Sequence, residues 1–223
     1  MNYTTLSQRI ETAGHGLCVG LDPDPAKLPA GTDLASFCIG IIDATVHVAI
    51  AYKPNFAFFE ALRRPGWDAL DAVTSHLRTL SQKPLLIADA KRGDIGNTAS
   101  RYAQGILQVM GYDAITVAPY MGKDSVQPFL KFDGKWAIVL GLTSNEGAND
   151  FQYYTNKEEQ PLYAKVISTV MEWGTSENLM FVVGATRTEQ LADIRRIAPE
   201  HFLLVPGVGA QGGSLADVFN AGA

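Results

Sequence analysis

The chain has 223 residues, 47% hydrophobic and 18% charged, with a net charge of -5 and a pI near 5.3. This is the composition of a globular chain able to bury a sizeable core. The acidic balance excludes the basic footprint of a nucleic-acid binder, for which a domain pI above about 9 is the usual mark. No apolar run approaches the roughly 18 residues of a membrane helix, and the N-terminus lacks an export pattern, so a cytoplasmic protein with no membrane partner is expected.

In chain order, Thr4 and Thr5 ahead of LSQRIETAG predict a short capped helix ending at Gly14. GLCVGLD, residues 16–22, reads as the first strand, and Asp33 or Thr32 caps a long apolar helix from Leu34. AIAYKP is the second strand, with Lys53 at its end, and residues 55–82 read as helical with a break at Pro65 and Gly66. Phe56, Phe58 and Phe59 are expected in the core. Cys18 and Cys38 have neither metal-ligand nor disulfide spacing, and core thiols in a reducing compartment are expected.

The run LLIADAKRGDIGNT, Leu85 to Thr98, stands apart. A buried strand over Leu85 to Ala88 ends in Asp89, Lys91, Arg92 and Asp94. A helix then starts at Asn97 or Thr98. Further strands are expected at 113–119, 135–144, 178–186 and 202–209. A polar segment, NEGANDFQYY, and the helices PLYAKVISTVMEWG and TEQLADIRRIA lie between them, and SLADVFNAGA closes the chain.

Short apolar strands alternating with amphipathic helices indicate parallel βα units covered on both faces. Seven units of roughly thirty residues fit a single-domain α/β fold over residues 1–223, a (β/α)8 TIM barrel rather than a doubly wound sheet. An eighth strand is needed to close such a barrel, and it is expected to follow Ala223.

Active sites of these barrels form at the carboxyl ends of the strands. The polar residues there are Asp22, Lys53, Asp89, Lys91 and Asp94, then Thr143 and Ser144, and the glycine-rich PGVGAQGG. Side chains alternate along a strand, so Asp89 and Lys91 point to one side, with Lys53 coming from the neighbouring strand. Lysines and aspartates converging in a partly desolvated cavity fix one another's protonation states and rotamers. A glycine-rich turn after a late barrel strand offers backbone amides to a phosphate. No metal site is expected, because His15, His47, His76 and His201 have no ligand spacing.

LIADAKRGDIGNT, together with GLCVGLDPD, AYKPNFAFFE, APYMG, GLTSN and VPGVGAQGG, resembles the orotidine 5'-phosphate decarboxylase family along essentially the whole chain, most closely its longer bacterial branch. The resemblance implies a homodimeric barrel that converts orotidine 5'-monophosphate to UMP in pyrimidine biosynthesis without metal or organic cofactor. It implies that Lys91 protonates C6, Asp89 sits by the leaving carboxylate, and Lys53 orients the charges and touches the ribose. Asp94 and Thr98 would reach the other subunit's site. Asp22 would bind ribose hydroxyls, Ser144 the pyrimidine edge, and Gln211, with Pro206 and Gly207 of the same turn, the phosphate side. NEGANDFQYY would either cover the substrate or form an idle surface loop. Two alternatives stand beside it: a magnesium-dependent sugar-phosphate decarboxylase or hexulose-phosphate synthase of the same barrel group, against which Lys53 weighs because its cation would repel the metal, and a nucleotide-binding barrel without activity.

Overall fold

The computed structural model describes residues 1–208 and 212–222. Its contacts form two compact units: Met1–Lys91 with Arg101–Ile115, and Arg92–Ser100 with Thr116–Ala223. Seven strands among the described residues follow one another in sequence order in the sheet, β1 to β7.

In the first unit, α1 spans Tyr3–Ala13, β1 Cys18–Leu21, α2 Leu34–Thr45, β2 Ala51–Pro54, α3 Phe56–Glu60 and α4 Arg64–Thr79. The cap of α1 is Asn2, whose side chain accepts from the Thr5 amide, rather than Thr4 or Thr5, which lie inside the first turn. Asparagine is the stronger N-cap and takes the role from two threonines one turn inward. Asp33 caps α2 through the Ser36 amide at 2.9 Å, as expected.

The break expected at Pro65 and Gly66 falls at residues 61–63 instead. Pro65 sits in the first turn of α4, where a missing N–H costs nothing and the fixed φ suits the helix. Gly66 is there because the two helices touch: a β carbon would lie 1.8 Å from the Phe59 carbonyl oxygen.

Strand β3, Leu85–Arg92, continues four residues past its apolar run. β1 and β2 pair in parallel with Gly20 opposite Lys53, β2 and β3 with Tyr52 opposite Leu86, and Asn55 bridges to Asp89. The core beneath contains Tyr52, Phe56, Phe59, Leu70, Val73 and Tyr112, all fully buried. Phe56 meets the edge of Tyr112 at 5.4 Å. Cys18 and Cys38 are unpaired, and burial pushes their thiols up to about 11 and about 12, so neither carries a thiolate at neutral pH.

Between the strands, α5 covers Gly96–Ala103, beginning slightly before Asn97, and a π-helical turn covers Gln104–Val109 before β4 at Ala114–Val117. In the second unit, α6 is Lys123–Val126, β5 Trp136–Leu142, α7 Ala148–Phe151, α8 Leu162–Met171, β6 Leu179–Val183, α9 Thr188–Ile197, β7 Leu203–Leu204 and α10 Leu215–Gly222. Every residue of β6 is buried, and all but one of β5. β5 and β6 run parallel, with the register shifting between Leu140 and Leu142 just before the Thr143–Ser144 turn. A bulge of this kind re-aims the residues beyond it. Strand β7 is shorter than its apolar sequence suggests, only two half-buried residues.

Arg195 ties α9 to its surroundings. Its guanidinium donates to the carbonyls of Gly222, Ala198, Pro199 and His201 at 2.8–3.2 Å. His201 is buried, neither ring nitrogen has a partner among the described residues, and its ring lies 5.6 Å from that of Phe181. Burial, and then the Arg195 charge, lower its pKa. The unfolded chain therefore binds a proton near pH 6.5 that the folded chain resists, so stability falls as pH drops below about 6.5. We expect His201→Phe to flatten the denaturation midpoint between pH 7 and 5.5 relative to the unsubstituted protein. Parallel midpoint curves for the two would contradict this. No helix among the described residues is long and apolar enough to cross a membrane.

Candidate active site

In the first unit, Asp89 is the centre. Its Oδ2 accepts from the Lys53 ammonium at 3.1 Å and its Oδ1 from the Lys91 ammonium at 2.6 Å. Asp89 and Lys91 meet through their side-chain tips, and β2 delivers Lys53 to the same carboxylate. Asp89 is buried, and the Lys53 side chain is only 14% exposed.

Burial alone works against both charges. For Lys53 it is outweighed by the negative charges of Asp89 and Asp22, and the pKa ends above the ordinary lysine value. For Asp89, burial is outweighed by the Lys53 charge and the hydrogen bond from Lys91, and the pKa ends below the ordinary carboxylate value. A raised lysine keeps its proton until high pH and a lowered carboxylate stays ionised until low pH, so the ion pair persists through the neutral range.

Lys91 itself has φ +46, and Asp94 φ +79, a left-handed conformation that non-glycine residues rarely adopt. The lysine tip reaches back to Asp89 while its side chain stays half exposed, so an ammonium fixed by a carboxylate stands within reach of solvent.

Asp22, exposed at the end of β1, accepts from Asn55 Nδ2 at 2.6 Å. The Asn55 Oδ1 meanwhile caps α3 through the Ala57 amide at 3.3 Å, so one amide is held at both ends and holds Asp22. The sequence reading overlooked Asn55. The available signal was its position two residues after Lys53, on the same side of an extended chain.

In the second unit, Asp94 is half-buried and its Oδ1 accepts from the Ile95 amide at 2.7 Å. Thr98 is exposed on α5. Ser144 is half-buried in the turn after β5, and β6 presses on it: a β carbon at Gly184 would fall 2.7 Å from the Ser144 nitrogen. Thr143, next to it, is held by the Gln152 side chain, a second residue to which the sequence reading gave no role. Pro206 and Gly207 are half-buried after β7, with the Pro206 carbonyl accepting from the Ala185 amide at 2.9 Å. Gln211 lies outside the described residues.

The family model for orotidine 5'-phosphate decarboxylase / HUMPS matches residues 15–221. The chain is 52% identical to the orotidine 5'-phosphate decarboxylase of Christiangramia forsetii, covering 100% of this chain and 83% of that protein. It is 47% identical to the one of Phocaeicola vulgatus, covering 100% and 84%. Among solved structures it resembles Leishmania donovani OMP decarboxylase, with TM-score 0.86 and 37% identity over 100% of this chain and 84% of that one. It also resembles the Plasmodium berghei orotidine 5'-monophosphate decarboxylase, with TM-score 0.84 and 25% identity over 98% and 86%. With the parallel strands in sequence order, these likenesses put the fold in the (β/α)8 barrel class.

Proposed function

Because the chain belongs to the orotidine 5'-phosphate decarboxylase / HUMPS family, we propose that it decarboxylates orotidine 5'-monophosphate to UMP in pyrimidine biosynthesis, in the cytoplasm and without metal or organic cofactor. The observation that carries this reading is the Asp89 carboxylate shared between two ammonium groups, Lys53 and Lys91.

Loss of carbon dioxide from C6 leaves an electron pair in the plane of the pyrimidine, where no neighbouring carbonyl takes up the charge. The barrier reduction required lies in the upper part of the range of about 8 to 23 kcal/mol seen in enzymes. A cation standing where charge develops stabilises the transition state more than the ground state and needs no reorganisation when the charge appears. Lys91 fits that role through its ammonium, held by Asp89 on a half-exposed side chain, which then gives C6 its proton.

Asp89 keeps Lys91 oriented. It also faces the substrate carboxylate, and two carboxylates about 4 Å apart repel by about 4 kcal/mol at an effective dielectric of 20, a cost relieved as carbon dioxide leaves. Positioning is the larger part of its role, because both its oxygens are committed to lysines. Lys53 holds the array from β2, and Asp22, fixed by Asn55, takes the ribose hydroxyls. Ser144 reads the pyrimidine edge, Pro206 and Gly207 with Gln211 take the phosphate side, and NEGANDFQYY covers the substrate.

We assign Asp94 and Thr98 to the site of a second subunit. Apolar residues beside them support a homodimer: Ile95, Tyr120 and Met121 are 54%, 90% and 52% exposed, and the Met121 methyl lies 3.5 Å from where a Gly93 β carbon would stand. Clustered exposed apolar residues mark contact surfaces.

The deciding experiment follows the loss of orotidine 5'-monophosphate absorbance on adding enzyme in excess EDTA. Full turnover with chelator is expected. No turnover with or without magnesium overturns the reading in favour of the sugar-phosphate members of the barrel group or of a barrel that only binds nucleotide; turnover restored only by magnesium keeps the substrate and overturns the metal independence.

A further inference from the structure

We propose that Gln152 is a positioning residue for the base edge, acting through Thr143 to hold Ser144; the proposal rests on the reading above that Ser144 meets the pyrimidine. Gln152 Oε1 accepts from the Thr143 backbone N–H at 2.8 Å, and Gln152 Nε2 donates to Thr143 Oγ1 at 2.8 Å. Thr143 Oγ1 in turn donates to Asn145 Oδ1 at 2.6 Å.

The direction of this chain is not arbitrary. A backbone N–H can only donate, so the amide oxygen of Gln152 faces it, and the amide nitrogen therefore faces the hydroxyl. The hydroxyl, having accepted, sends its own proton to Asn145. Ser144 lies between the two residues so held. Behind it β6 leaves no room, with Gly184 packed against the Ser144 backbone.

Gln152 is itself anchored. Its backbone N–H donates to the Ala148 carbonyl at 2.8 Å and its backbone carbonyl accepts from the Tyr163 N–H at 3.0 Å. The end of α7 and the start of α8 therefore fix the backbone from which the Gln152 side chain reaches the strand end. Residues holding a binding group in its productive rotamer set its precision, and displacing a binding group by about an ångström loses orders of magnitude.

The test compares Gln152→Ala, Thr143→Val and Thr143→Ser, measuring turnover and the inhibition constants of UMP and of ribose 5-phosphate. Ribose 5-phosphate has no base and serves as the internal reference. We expect the UMP constant to rise about tenfold in Gln152→Ala and in Thr143→Val, the scale of a lost hydrogen-bond pair. Ribose 5-phosphate should be unchanged, and Thr143→Ser, which keeps the hydroxyl, should behave as the unsubstituted protein. The double variant Gln152→Ala, Thr143→Val should be no worse than either single one, because both break one clamp. Equal weakening of both ligands, no weakening, or a shift in only one of the two single variants overturns the proposal. If Gln152→Ala does not fold, Thr143→Val decides alone. An unsubstituted protein that fails to decarboxylate its substrate counts against the proposed function; normal turnover with an unshifted UMP constant counts against the role of Gln152 only.

Discussion

Replacing Lys91 with alanine is expected to lower the rate of decarboxylation by about a hundred- to a thousandfold, the scale of losing one preorganised group aimed at developing charge, while UMP binds within a few-fold of its original affinity. The asymmetry follows from where the lysine acts. UMP has no carboxylate at C6 and no carbanion, so the ammonium contributes little to its affinity and much to the transition state. Single-turnover rates and an equilibrium titration with UMP separate the two. Turnover within tenfold of the original would remove Lys91 from the mechanism. A parallel loss of UMP affinity would instead make it a binding residue.

Mixing two inactive variants is expected to restore activity. If Asp94 completes the site of the neighbouring subunit, Lys91→Ala and Asp94→Ala homodimers are both inactive. A hybrid dimer then places both substitutions in one site and leaves the other intact. Random exchange makes about half of all dimers hybrids, each with one working site of two, so about a quarter of full activity returns. The measurement is turnover after the two variants are mixed, unfolded and refolded together. A mixture as inactive as its components would place Asp94 in the same subunit's chemistry or in none. It would also leave Ile95, Tyr120 and Met121 needing another partner.

Much of this could be read from the residues. A buried strand ending in DAKRGD announces charges at a strand end, and alternation leads one to expect Asp89 and Lys91 together, as their tips are at 2.6 Å, although Lys91 gets there from a left-handed backbone. The helix cap at Asp33 follows from local chemistry. Other features depend on contacts that the local sequence does not encode. Asn55 matters because its bond to Asp22 spans 33 positions, and Gln152 because a polar loop folds back nine residues onto Thr143. The break before α4 lies earlier than expected because Pro65, which looks like a terminator, begins a helix. Nothing in the letters DAKRGD indicates that Lys91 and Asp94 take left-handed backbone angles.

Those backbone angles set a trap for anyone improving the protein. Each left-handed residue outside glycine costs about 1–3 kcal/mol of folding free energy, and asparagine and glycine tolerate the conformation best. A selection for heat resistance alone would therefore drift toward Lys91→Gly or Asp94→Gly, which relieve the strain at these two positions. It would gather hardier proteins stripped of the two charges assigned to catalysis, so any such screen must also score turnover.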